Sequence, residues 1–194
     1  MLFPESEVKV FQAGAKGLLL KAQVNGCSPR PDWHMIECAS LSRIPFDLHL
    51  KWCAVSGGMH EVDITVSRGT RLSLYCSMLE LYVKNLGTEK NEVMVTLAEG
   101  TSSSPQTLER WGDCDGVEKL SFDVPAWCSN HRITLSEQES LLGTVVEYLL
   151  PDGRKICVNG TIFLHGSLSI GAAVRVSVLT PTPATVRLSW GLNL

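Results

Sequence analysis

Hydrophobic side chains recur at every second position along most of this chain. From Met59 to Val66, Val62, Ile64 and Val66 share one parity, while Glu61, Asp63 and Thr65 share the other. Period-2 alternation of this kind buries one face of a sheet and leaves the other to solvent or a neighbour. The run before it, Leu50 to Trp52, is followed by Gly57-Gly58. Glycine reaches positive φ without a steric penalty, so this pair predicts a turn and the stretch 50–66 a β-hairpin or corner.

The rest of the chain repeats that pattern. Residues 17–24 read as a first strand, closed by Asn25-Gly26, and residues 28–32 (SPRPD) as a loop, because two prolines cannot continue a ladder. A short strand is expected at 33–36 and a helical turn at 39–44, before Pro45. Alternation returns at 71–76 (Leu72, Leu74) and at 79–84 (Leu79, Leu81, Val83). Further strands are expected at 93–97, 120–124, 132–135, 144–150, 156–158, 162–165, 168–170, 173–179 and 185–190, with a short helix over 136–142. TSSSP at 101–105 reads as a polar loop, Pro151-Asp152-Gly153 as a turn, and TPTP at 180–183 as the last connection. Many short strands, separated by turn signals and with no long helix, imply an all-β sandwich or barrel. No 20–50-residue repeat suggests a propeller or solenoid.

Composition narrows the class without naming a function. A chain of 194 residues fits one domain, and 44% hydrophobic residues is enough for a core. A net charge of −3 is the wrong sign for a strongly basic nucleic-acid binder. Glu5 and Glu7 stand where a signal peptide would place basic and apolar residues, and no run approaches the 18 apolar residues of a membrane span. The seven cysteines are odd in number, scattered and without a C-x-x-C pair, which fits reduced thiols better than a disulfide scaffold.

Motifs for catalysis are scarce. The five histidines (His34, His49, His60, His131, His165) are isolated and offer no metal-ligand spacing. Cys128 and His131, beside Asn130, form the one local thiol–imidazole pair, and a plain loop is the favoured reading. Glu61/Asp63 and Glu137/Glu139 read as solvated faces rather than acid–base pairs. GDCDG at 112–116 lacks the ligand run of a calcium loop and reads as a tight turn. No phosphate-binding glycine loop and no G-x-S-x-G elbow is present. No catalytic, metal or cofactor residues are therefore assigned. Five tryptophans are many for this length, and Trp111 and Trp127, read as loop residues, are interface candidates together with Trp190. Arg175 and Arg187, read as outward-facing on the last two strands near Trp190, are the RNA-facing candidates.

Three stretches carry a resemblance. Trp33, residues 41–52, Ser56-Gly57 and the strand 59–66 make an aromatic, Ser-Gly, long-strand segment. LSFDVP at 120–125 is a strand ending in a proline corner, and 173–190 is a strand pair joined by a Pro/Thr-rich loop. Together they resemble the jelly-roll capsid proteins of picorna-like viruses, especially the small coat proteins of the secovirus group. The resemblance implies an eight-stranded-type jelly-roll β-sandwich with short connecting helices, spanning 1–194 as a single capsid domain. It also implies a non-enzymatic coat subunit of an icosahedral, pseudo T=3 plant-virus shell. Its partners would be other capsid subunits and genomic single-stranded RNA, with no membrane, in the virion and in host cytoplasm during assembly. The competing reading is a secreted-type or cytosolic β-sandwich binding module, lectin-like or cytokine-like, and a cysteine hydrolase using Cys128 is the third.

Overall fold

A computed structural model of the chain describes residues 5–12, 14–23, 32–55, 57–99, 106–126, 128–135, 143–159 and 173–192. Fourteen strands lie among them and no helix. The chain divides into two compact units, residues 1–107 and 108–193, where the sequence pattern suggested one domain over 1–194.

The first unit holds β1 (Glu5–Phe11), β2 (Lys16–Gln23), β3 (Asp32–Ser40), β4 (Phe46–Ala54), β5 (Met59–Val66), β6 (Gly69–Asn85) and β7 (Asn91–Glu99). The pairings among these strands are antiparallel. β1 pairs with β7, β7 with β3, and β3 with the first half of β6, from Gly69 to Cys76. The second half of β6 is flanked by β2 and β4, and β4 pairs with β5. The strand orders are thus β1-β7-β3-β6 and β2-β6-β4-β5, with β6 passing from one sheet to the other. A strand that switches sheets at a bend makes the corner of a sandwich. This is jelly-roll connectivity, with the 17-residue β6 occupying two of the eight places.

Side-chain parity records the switch. Thr70, Leu72, Leu74 and Cys76 are buried, and past Ser77 the buried set becomes Leu79, Leu81, Val83 and Asn85. One extra residue in a strand moves every later side chain to the other face. Phe46, Leu48, Leu50 and Trp52 of β4 and Ile64 and Val66 of β5 complete this core beneath β6.

The second unit holds β8 (Thr107–Cys114), β9 (Leu120–Asp123), β10 (Cys128–Leu135), β11 (Val145–Leu149), β12 (Lys155–Asn159), β13 (Arg175–Leu179) and β14 (Ala184–Leu192). One sheet runs β9-β13-β11-β12, and β8, β14 and β10 are neighbours in the other. These seven strands nest in the same order, with β11·β12 innermost, β9·β13 around them and β8·β14 outside. The core comprises Phe122, Val146, Tyr148, Val176, Val178, Val186 and Leu188, all buried.

The all-β, antiparallel jelly-roll class holds, and several local expectations change. The hairpin at Gly57-Gly58 joins β4 to β5, with Gly57 at φ 87°. The helical turn expected at 39–44 is instead the end of β3 followed by a bend. Ser40 Oγ donates to Asn91 Oδ1 (2.8 Å) and accepts from Ile44 N (3.0 Å), while Asn91 Nδ2 donates to Ile44 O (2.9 Å). That network supplies the backbone partners a helical turn would have provided. The helix expected at 136–142 and the strands at 162–165 and 168–170 lie outside the described residues, as does Trp127. The three stretches resembling one capsid roll fall in both units: 33–66 in the first, 120–125 and 173–190 in the second.

Candidate functional site

A polar groove of about 670 Å³ lies on the outer face of β4, β5 and the second half of β6. Its construction follows from the parity that builds the core. While Phe46, Leu48, Leu50 and Trp52 point inward, Asp47, His49 and Lys51 must point out. Antiparallel register then sets His49 opposite Asp63 on β5 and opposite Tyr82 on β6. Lys51 lies likewise between Glu61 and Glu80, and Asp47 between Thr65 and Lys84. Lys16 of β2 pairs with Lys84 and extends the last row.

These cross-strand rows are hydrogen-bonded. His49 Nδ1 lies 2.7 Å from Asp63 Oδ1, and because a carboxylate only accepts, Nδ1 carries the proton. Nε2 of the same ring lies 4.0 Å from Glu61 Oε1. Lys51 Nζ lies 3.3 Å from Glu61 Oε1, and Thr65 Oγ1 donates to Asp47 Oδ1 at 2.7 Å. Tyr82 OH donates to Glu80 Oε2 at 3.0 Å, which fixes a carboxylate that is itself buried. The His49 and Tyr82 rings are tilted neighbours, 6.1 Å apart between centroids. Glu61 and Asp63 are largely exposed, as expected of a solvated face.

The residues singled out from sequence lie elsewhere. Trp111 is a strand residue of β8 rather than a loop residue, and it is only 7% exposed. Trp190, in β14, is 2% exposed. Neither presents enough surface to anchor a partner, which corrects both interface assignments. β8 escaped detection because Arg110 occupies an inward position, where an apolar residue would have completed the alternation. The Arg110 guanidinium lies 5.4 Å from the Phe122 ring and donates to the Asp123 carbonyl. Burial lowers its pKa to about 10, against the opposing pull of Asp123 and Cys128.

The structure does not bring Arg175 and Arg187 together in one sheet. Arg175, on β13, binds Asp123 Oδ1 at 2.8 Å. Arg187, on β14, lies 3.6 Å from Glu109 and 5.1 Å above the Trp111 ring. Each cation is already held by a carboxylate, which weakens both as contacts for a phosphate backbone. Cys128 and His131 both belong to β10, and burial pushes the Cys128 thiol up to about 12 despite the nearby Arg110. A thiol so protonated at neutral pH is a poor nucleophile. The tight turn expected over GDCDG holds only in part: residues 112–114 end β8, and the turn begins at Asp115, whose Oδ1 accepts from the backbone of Val117 and Glu118. Among the described residues no three His, Cys, Asp or Glu side chains cluster as a metal site.

No protein-family model matches the chain, and no curated protein matches it. Similar solved structures include the PBSX exported protein XepA, at 8% identity and TM-score 0.38, covering 97% of this chain and 86% of that one. A chain from the Sulfolobus Turreted Icosahedral Virus structure has 13% identity and TM-score 0.35, covering 97% and 91%. The 7S globulin of Momordica charantia has 8% identity and TM-score 0.31, covering 98% and 73%. Likeness this remote does not bear on function, and the jelly-roll order above is read from the chain's own strand pairings.

Proposed function

We propose that this chain is a structural coat subunit that assembles through its sheet edges into a shell. The carrying observation is jelly-roll strand order in each of two compact units within 194 residues. Such a unit ends in strands whose outer hydrogen-bonding groups are available to a neighbour. Among the described residues, β5 pairs only with β4 and β12 only with β11. Both edges carry exposed apolar side chains, Met59 on β5 and Ile156 on β12.

Partners in this reading are further copies of the chain and other jelly-roll coat proteins, in the virion and in host cytoplasm during assembly. Genomic RNA is enclosed cargo rather than a ligand of Arg175 or Arg187. The finer assignment, a picorna-like plant virus of the secovirus type with a pseudo T=3 shell, rests on the three sequence stretches. Negative-stain microscopy of the purified chain, alone and mixed with single-stranded RNA, tests the reading. Closed or sheet-like assemblies are expected. Monomers alone, in every condition and with RNA present, would overturn it.

A further inference from the structure

We propose that the outer groove of β4, β5 and β6 is a binding site for a neutral oligosaccharide. Its volume of about 670 Å³ lies within the range of small-ligand sites, about 300–1,000 Å³. Its chemistry selects among ligand classes. Three lysines face four carboxylates along its lining, so the site has little net charge with which to attract an ion of either sign. What it offers instead is a dense alternation of donors and acceptors.

A sugar hydroxyl both donates and accepts, so it needs this alternation. Glu61 beside Lys51 presents an acceptor next to a donor, at 3.3 Å. Asp63 holds the His49 ring in place through Nδ1, which orients the imidazole in the groove. The Tyr82 hydroxyl fixes the buried Glu80 carboxylate, so this acceptor is oriented before any ligand arrives. Preorganised polar groups lose little on binding, which is what a weakly bound, well-hydrated sugar requires. The tilted His49 and Tyr82 rings add flat apolar surface for the C–H face of a pyranose. Sheet geometry sets neighbouring members of each row about 4.7–4.9 Å apart from strand to strand, which leaves room for one hydroxyl to bridge two of them.

All of these residues belong to one unit of one chain, so the purified chain carries the whole site. The test is saturation-transfer NMR on the purified full chain with lactose, cellobiose, maltotriose and di-N-acetylchitobiose. Sialyllactose and a heparin tetrasaccharide serve as charged probes. At least one neutral sugar should receive saturation, and His49→Ala should weaken its binding by about tenfold, a change of about 1.4 kcal/mol. Tyr82→Phe keeps the ring and the strand packing while removing the hydroxyl that bonds Glu80, and should weaken binding several-fold with an unchanged circular dichroism spectrum. Lys155→Ala, on β12, should leave binding intact. Silence from all four neutral sugars, binding of the charged probes alone, or binding unchanged in both groove variants would overturn the proposal.

Discussion

Cys38 and Cys128 keep their protons well above the ordinary thiol range. Burial pushes both up to about 12 from an ordinary 9.0, with Glu37 adding to the rise at Cys38 and Arg110 opposing it at Cys128. Between pH 9 and 12 the folded chain therefore holds protons that the unfolded chain has released. Stability that is fully present below pH 9 is lost as the pH climbs towards 12. Arg110, lowered by burial to about 10 from 12.5, acts in the opposite direction over the upper part of that window. Thermal unfolding followed from pH 8 to 11 should show a falling midpoint, and the Cys38→Ala/Cys128→Ala double variant a shallower fall. Equal slopes would mean that these thiols are not buried as described. At this scale the sequence was only partly legible. In the sequence Cys53 and Cys157 lie within apolar, strand-like runs, yet Cys157 is exposed and Cys38 fully buried. A cysteine reads alike in either setting, and only packing separates them.

Parity is the most informative feature at the scale of elements. Leu72/Leu74 and Leu79/Leu81/Val83 read in the sequence as two separate strands. In the structure they belong to one strand, β6, which changes sheets near Ser77. Deleting Ser77 should turn Leu79, Leu81 and Val83 outward or force β6 out of register with β2 and β4. Exposing three such side chains costs about 1.5–3 kcal/mol each, a large share of the roughly 5–15 kcal/mol that holds a domain folded. The deletion variant should therefore lose its cooperative denaturant transition, whereas Ser77→Ala should stay within about 0.5 kcal/mol of wild type. A cooperative transition in the deletion variant would contradict the account of β6. The hairpin at Gly57-Gly58 was legible because two glycines and strict alternation are local signals. β8 was not, because a buried arginine breaks the pattern. Nor was the groove: its polar positions showed individually as outward faces, but their meeting depends on a register between residues as far apart in the chain as Lys16 and Lys84.

At the scale of the whole molecule, two jelly-roll orders in tandem shape every functional statement. The all-β class followed from alternation and turn spacing, which are properties of short windows. The division into two units did not, because it depends on which strands pair, and both units share the same alternation. The central claim is that open edges make this chain assemble, and β12 is the edge best suited to a test, since Ile156 projects there partly exposed. Charge on an edge strand blocks pairing with a second copy while leaving the fold to its inner face. The deciding measurement is sedimentation velocity of the purified chain across a concentration series, beside Ile156→Lys. The account predicts wild-type chain moving into large, concentration-dependent species and the variant shifting back towards monomer. A wild-type chain that sediments as a monomer throughout, or a variant that assembles just as well, would contradict it.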